Sequence, residues 1–260
     1  MASSRSEPRF VGRTALVTGA GSGIGRATVL RLASEGARVV GLDVDAGAIG
    51  ETAALVAELD GAPDLLALTG DVSVKDDCEF AVGATVDRFG GLDVLANVAG
   101  IVRMRHFADV TEEEWRRVFG VNVDGVFFLS QAAIPHLLLA KGGGRIVNVV
   151  SNAGLMGQAY SSSYCASKGA VVQLTRALAM EFVKQPLRVN AVAPGGVDTP
   201  LSKGVRFPDG VDWDLVQKFV SERGMGTPDD VATAIAFLAS DDALLANGTI
   251  LSIDQGLVAG

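Results

Sequence analysis

A chain of 260 residues with no Pro/Ser-rich divide has the length of one large α/β domain with a sizeable core. Its formal charge of −8 excludes a protein that grips a nucleic-acid backbone, which needs a concentrated basic surface, and favours a small-molecule partner. Although 48% of the residues are hydrophobic, the longest apolar run, 126–140, is interrupted by Ser130, Gln131, Pro135 and His136, which argues against a membrane span of about 20 residues.

Residues 1–9 are polar with no apolar segment behind them, so they read as a flexible tail rather than a signal peptide, and 10–260 as a single domain. Cys78 and Cys165 lie far apart outside any C-x-x-C, and His106 and His136 are isolated. That spacing offers no metal site and fits a reducing compartment, the cytoplasm.

In chain order, a short strand at 13–18 runs into Gly19-Ala-Gly-Ser-Gly-Ile-Gly25 and a helix over 26–35. Glycines at a strand-to-helix junction let the backbone approach a pyrophosphate, and the helix N-terminus supplies unpaired N–H donors. The plainer reading is a tight packing turn; the position between first strand and first helix favours the phosphate cradle. The second strand, 37–42, ends at Asp43. A carboxylate there accepts hydrogen bonds from a ribose diol and repels a 2'-phosphate, which favours NAD over NADP. Asp43 also suits the cap of a helix starting at Ala46.

The pattern repeats with strand 65–69, helix 74–89 and strand 92–96. Asp71-Val72 and Asn97-Val-Ala-Gly100 follow the third and fourth strands, where ligands sit in a sheet wound this way. A long apolar helix over 112–139 carries Asn122, which helix propensity disfavours and which therefore needs a partner or a task.

A β-branched run at 145–150 ends at Ser151 and leads to Tyr164-Cys-Ala-Ser-Lys168. On a helix, Tyr164 and Lys168 share one face, so the ammonium is expected to lower the phenol's pKa and make it a general base near neutrality. The other tyrosine, Tyr160, has no lysine four residues on. The helix continues to 183, and the sixth strand, 188–193, ends at Pro194-Gly-Gly-Val-Asp-Thr-Pro200. Residues 201–226 lack a sustained period apart from a short helix near 212–222, and read as a segment covering a site. A helix over 228–239 and a strand at 249–253 close the chain. Seven strands alternating with helices predict a doubly wound parallel sheet with helices on both faces.

Taken together, residues 10–256 resemble the short-chain dehydrogenase/reductase family in its single-domain branch, a Rossmann-type fold. The resemblance rests on the Thr18–Gly25 glycine motif, Asp71-Val72, Asn97 to Gly100, Asn122, Ser151, Tyr164 to Lys168, and Pro194-Gly195 with Thr199. It implies that Tyr164 is the acid/base, Ser151 binds the substrate oxygen, Lys168 binds the nicotinamide ribose, and Asn122 holds a relay water. It further implies that NAD lies against Gly19, Ser22, Gly23, Ile24, Gly25, Asp43, Asp71, Val72, Asn97, Ala99, Gly100, Pro194 and Gly195. Tyr164 and Lys168 complete that surface, with Val197 and Thr199 meeting the carboxamide. Two departures stand out: Val98 replaces the second Asn of N-N-A-G, and Asp254-Gln-Gly256 replaces D-G-G.

The expected activity is hydride transfer between NAD and a secondary alcohol or ketone. A catalytically silent regulatory scaffold of the same fold is the alternative; a sugar-nucleotide epimerase fits less well, because only about 60 residues follow Pro200. Met104, Leu155, Met156, Phe207 and Trp213 point to an apolar pocket, while Arg103, Arg105 and Arg206 leave room for an anionic group. The helices over 112–139 and 167–183 are apolar nearly all round, so a second subunit is expected to cover them in a homotetramer.

Overall fold

A computed structural model describes residues 8–63 and 65–259. Among them seven strands form one all-parallel sheet in the order β3-β2-β1-β4-β5-β6-β7. These are β1 (Thr14–Thr18), β2 (Arg38–Asp43), β3 (Leu66–Thr69), β4 (Val94–Asn97), β5 (Gly144–Val149), β6 (Leu187–Pro194) and β7 (Ile250–Ile253). The strand order reverses between β1 and β4, so the crevice at their carboxyl ends is the place for a ligand.

The strands alternate the two halves of the core: Ala15 and Val17 of β1 join one cluster, Leu16 the other. Over the first face lie α1 (Gly23–Ser34), α2 (Ala46–Ala57) and α9 (Pro228–Ala239), bringing Val29, Ile49 and Ile235 to the sheet. Over the second lie α3 (Lys75–Phe89), α4 (Glu112–Phe119), α5 (Gly125–Leu137) and α6 (Ser162–Glu181), with Val82, Leu129 and Ala179 inward. Each large side chain so buried contributes roughly 1.5–3 kcal/mol. The α/β class, the parallel sheet and the single domain expected from the sequence are all present. Two short helices, α7 (Pro200–Lys203) and α8 (Trp213–Gln217), lie in the segment between β6 and α9.

Four expectations need correction. Residues 1–7 of the predicted tail lie outside the described residues, but Arg9 is pinned: its Nε lies 2.6 Å from Glu35 and its Nη1 3.1 Å from Asp242. Asp45, not Asp43, caps α2, accepting from Gly47 N and Ala48 N. The apolar run read as too interrupted for a membrane span belongs to one helix, Glu112–Leu137, that is long and apolar enough to cross a membrane by length and composition. Its Leu129, Ala133 and Leu137 instead pack on the sheet. Finally, α6 is not apolar all round, since Gln173, Arg176 and Glu181 face outward.

Asn122 sits in a single π turn, Gly120–Asp124, between α4 and α5. The wider turn accompanies an amide that is fully buried and clamped: Oδ1 accepts from Ile101 N at 2.9 Å, and Nδ2 donates to Ile101 O at 2.9 Å and Ser167 Oγ at 3.0 Å. The residue that propensity disfavours thus ties the loop after β4 to two helices.

Candidate active site

Two adjoining cavities, of about 320 and 310 Å³, open at the carboxyl ends of the strands and share Ile24, Val98, Gly100, Thr199 and Leu201 in their walls. The first lies over the glycine motif. Gly19 has φ +64, in the left-handed region, and a Cβ on Gly25 would stand 1.9 Å from Gly19 O, so strand and helix meet only because both residues are glycine. Ser22, the N-cap of α1, is exposed and makes no side-chain capping bond, and the first turn holds no acidic residue. The N–H groups there face the cavity wall with no internal anion to satisfy them.

At the far end of this cavity Asp43 accepts from Gly21 N (2.8 Å) and Asp45 N (3.0 Å). Arg26, the nearest cation, has its guanidinium engaged by Gly21 O, Thr52 Oγ1 and Glu51 Oε2. Asp71 lines the same cavity beside Arg117, which donates to Asp71 Oδ2 at 3.0 Å and Ser73 Oγ at 2.8 Å. Burial raises the Asp71 pKa, yet the bonds from Ser73 and Arg117 outweigh it and hold the carboxyl below its usual range. Arg117 escaped the sequence reading because only the tertiary fold brings it to Asp71.

The second cavity holds Ser151, Tyr164 and Lys168 together, at the end of β5 and the first turns of α6. Lys168 is buried; its Nζ donates to Val149 O at 2.8 Å and lies 5.7 Å from the Tyr164 ring centroid. The pKa expectation fails here. Burial pushes the Tyr164 phenol up to about 12, against a smaller lowering from the Ser151 hydrogen bond, and burial alone brings Lys168 down to about 8. Spacing placed the pair on one face; the low dielectric around both groups governs their protonation in the protein alone.

Pro194, Gly195, Val197 and Thr199 also line this cavity, and Val72, Ala99 and Gly100 line the first. Asn97 lines neither. It is buried in β4 with Nδ2 donating to Asn148 Oδ1 at 2.9 Å, so its side chain braces the sheet rather than facing a ligand. Of the apolar residues expected around a substrate, Met104 and Phe207 are in the wall, joined by Val205, Phe219 and Val220. Leu155 and Met156 are not, and Trp213 packs behind Phe207 at 5.2 Å. The three arginines that left room for an anionic group, Arg103, Arg105 and Arg206, line neither cavity, and Arg105 pairs with Glu114 at 2.8 Å.

Residues 19–258 match the family described as enoyl-(acyl carrier protein) reductase. The chain belongs to the short-chain dehydrogenase/reductase family. It is 42% identical over 253 residues to cis-4-hydroxycyclohexanecarboxylate dehydrogenase of Sinomonas cyclohexanicum, covering 96% of this chain and 98% of the relative. It is 37% identical over 251 residues to a 3-oxoacyl-(acyl-carrier-protein) reductase of Thermotoga maritima, covering 96% and 99%. A solved 3-ketoacyl-(acyl-carrier-protein) reductase of Brucella melitensis in complex with NADH superimposes with a TM-score of 0.85 at 35% identity, over 95% of this chain and 99% of that one. As a short-chain dehydrogenase/reductase, the protein is a nicotinamide-dependent oxidoreductase of the alcohol/ketone class.

The family's D-G-G carries Gln255 at its centre here, with φ +59 and a hydrogen bond from Ser221. A side chain in the left-handed region is strained where glycine is not, and the bond from Ser221 ties the carboxyl end to the segment before α9.

Proposed function

We propose that the protein interconverts an uncharged secondary alcohol and its ketone with NAD(H), using Tyr164 as the proton donor and acceptor. The observation that carries this reading is the convergence of Ser151, Tyr164 and Lys168 on one cavity that continues into the glycine cradle. The cradle fits a dinucleotide: a Cβ at Gly23 would come within 3.3 Å of Thr199, and one at Gly100 within 3.3 Å of Lys168 Nζ. The bare backbone at Gly23 leaves room for the pyrophosphate, and that at Gly100 keeps the approach to Lys168 Nζ open.

When bound, the nicotinamide supplies or accepts the hydride. The chain does the rest. Ser151 Oγ holds the substrate oxygen, and Tyr164, kept neutral by burial, delivers its proton to that oxygen in reduction and takes it back in oxidation. Lys168 holds the ribose. The space over Gly100, bordered by Lys168 Nζ and Asn122 Oδ1 at 3.3 and 3.4 Å from a Cβ position, suits the relay water that resupplies Tyr164. Residues 201–226 cover the substrate through Leu201, Val205, Phe207, Phe219 and Val220. A panel of secondary alcohols and ketones followed by NADH fluorescence tests the reading; absence of turnover across the panel with NADH bound would leave only the silent scaffold, which nothing in the intact Ser151, Tyr164 and Lys168 favours.

NAD is preferred because Asp43 faces the ribose end, and Arg26 turns its Nε and Nη2 to Gly21 O, Thr52 Oγ1 and Glu51 rather than toward a 2'-phosphate. NADH is expected to bind about tenfold or more tightly than NADPH, and Asp43→Asn to narrow the gap. Equal dissociation constants for the wild type would remove Asp43 from this role. The NADH bound to the Brucella relative supports the same choice.

Phe127 and Met180, on α5 and α6, are 45% and 70% exposed on the outer face of that layer. A second copy covering them in a homotetramer is expected to appear as a single large species in sedimentation at micromolar concentration; a monomer there contradicts it. The two free thiols, Cys78 and Cys165, support a cytoplasmic location.

A further inference from the structure

Beside Ser151 the cavity wall holds an amide pair that the proposed proton transfer does not use. Asn152 is 3% exposed and borders the substrate cavity next to Gln158. Its Oδ1 accepts from Ser151 Oγ at 3.2 Å and from Gln158 Nε2 at 3.0 Å. Its Nδ2 is buried with no partner at all. An unpaired buried amide N–H is costly, and one retained in the wall of a ligand cavity marks a bond the ligand completes.

The rest of the wall defines what that ligand is not. Lys168 is the one charged side chain lining this cavity among the described residues, and its Nζ is held by Val149 O. A carboxylate or phosphate would enter without a counter-ion, at a large desolvation cost. Met104, Val205, Phe207 and Phe219 offer apolar contact only.

Resting on the reading of Ser151 and Tyr164 above, we infer that Asn152 Nδ2 takes a second, uncharged oxygen of the substrate, close to the carbon being oxidised or reduced. Nδ2 sits on the same amide carbon as the Oδ1 that touches Ser151. Oxygens held by Ser151 and by Asn152 are therefore separated by one carbon–carbon bond or by two. The substrate class is a vicinal diol, its hydroxyketone, or a neutral β-hydroxy carbonyl compound, rather than a simple secondary alcohol or a free hydroxy acid. Gln158 holds Asn152 by its Oδ1 and keeps Nδ2 turned away from itself.

The test compares kcat/KM for cis- and trans-cyclohexane-1,2-diol with that for cyclohexanol, in the wild type and in Asn152→Leu and Asn152→Ala. The wild type is expected to favour the better diol by about tenfold or more, and both variants to reduce that ratio to about one. Methyl 3-hydroxybutanoate is expected to outrun 3-hydroxybutanoate by a similar factor. As a binding readout without turnover, the diol added to the protein with NADH should raise Tm in the wild type and not in the variants. Turnover of cyclohexanol with no preference for the diol would overturn the inference while leaving the proposed reaction standing. A ratio unchanged in both variants, with equal losses on diol and cyclohexanol, would overturn it too and make Asn152 a support for Ser151. A preference for the free acid would overturn the uncharged class. No turnover of any probe, with NADH bound, would remove the proposed reaction and this inference together.

Discussion

Tyr164→Phe is expected to lower turnover by roughly two to four orders of magnitude while leaving the NADH dissociation constant nearly unchanged. The substitution removes one oxygen and keeps the ring that packs beside Lys168 Nζ, so the cavity stays formed. Its effect is large because no other side chain among the described residues is placed to replace it. His106 bonds Asp209 O and stacks edge-on against Tyr160, away from Ser151, and His136 lies on α5. The Cys165 thiol, next in sequence, is itself pushed up by burial and does not line the cavity. With its pKa near 12 the Tyr164 phenol keeps its proton at neutral pH, so ketone reduction is expected to be insensitive to this group through the neutral range. Alcohol oxidation, which needs the phenolate, should rise with pH. A Tyr164→Phe enzyme with a tenth of wild-type turnover, measured under saturating cofactor, would place the proton transfer elsewhere.

The second large effect is on stability. Lys168 loses its proton near pH 8 in the folded protein, against 10.5 when unfolded, because burial penalises the ammonium. Between those values the unfolded chain binds more protons, so folding becomes more favourable as pH rises, and the gain is lost as pH falls through 8. The shift corresponds to about 3 kcal/mol across the window. Tyr164 acts in the opposite sense at higher pH, since its raised pKa withdraws stability between 10 and about 12. The comparison is therefore made against Lys168→Met, which retains Tyr164. Urea unfolding of both proteins without cofactor should show the wild type gaining on the variant as pH rises from 7 to 10. A difference that stays flat over that range would mean that the ammonium is not strained by burial. The same variant should bind NADH more weakly, since it removes the group assigned to the ribose.

The parts of this molecule readable from sequence are those whose signal is local. The glycine motif, the four-residue step from Tyr164 to Lys168, and the start of α9 at Pro228 all depend on neighbours in the chain; α9 begins there because Thr227 and Asp230 close a capping box around a first-turn proline. The same signature at Thr199, Pro200 and Ser202 marks α7, which sequence reading passed over because the helix is only four residues long. What sequence did not show is burial and long-range pairing. The helical step brings Lys168 to Tyr164 without revealing that both lie in a medium that raises one pKa and lowers the other. Asn97 looked like a loop residue at a ligand, yet its partner is Asn148 on the neighbouring strand β5, and Asn148 in turn reaches Thr175 of α6. Arg117 and Asn152 join the cavity walls through contacts that no spacing announces. The apolar run continues through its polar positions because Pro135 falls in the last turn of α5 without ending it, with Gln131 and Pro135 exposed and Ser130 buried.

The central claim is that this site moves a hydride to a carbon whose oxygen is held by Ser151 and protonated by Tyr164. The most direct measurement is the reduction of a ketone, such as 2-hydroxycyclohexanone, with NADH carrying deuterium at both C4 positions, followed by mass and NMR analysis of the product. One deuterium bound to the carbinol carbon, none on the oxygen, and no product from Tyr164→Phe over the same interval are the results the structure predicts. A product without deuterium at that carbon, or equal product from Tyr164→Phe, would contradict it.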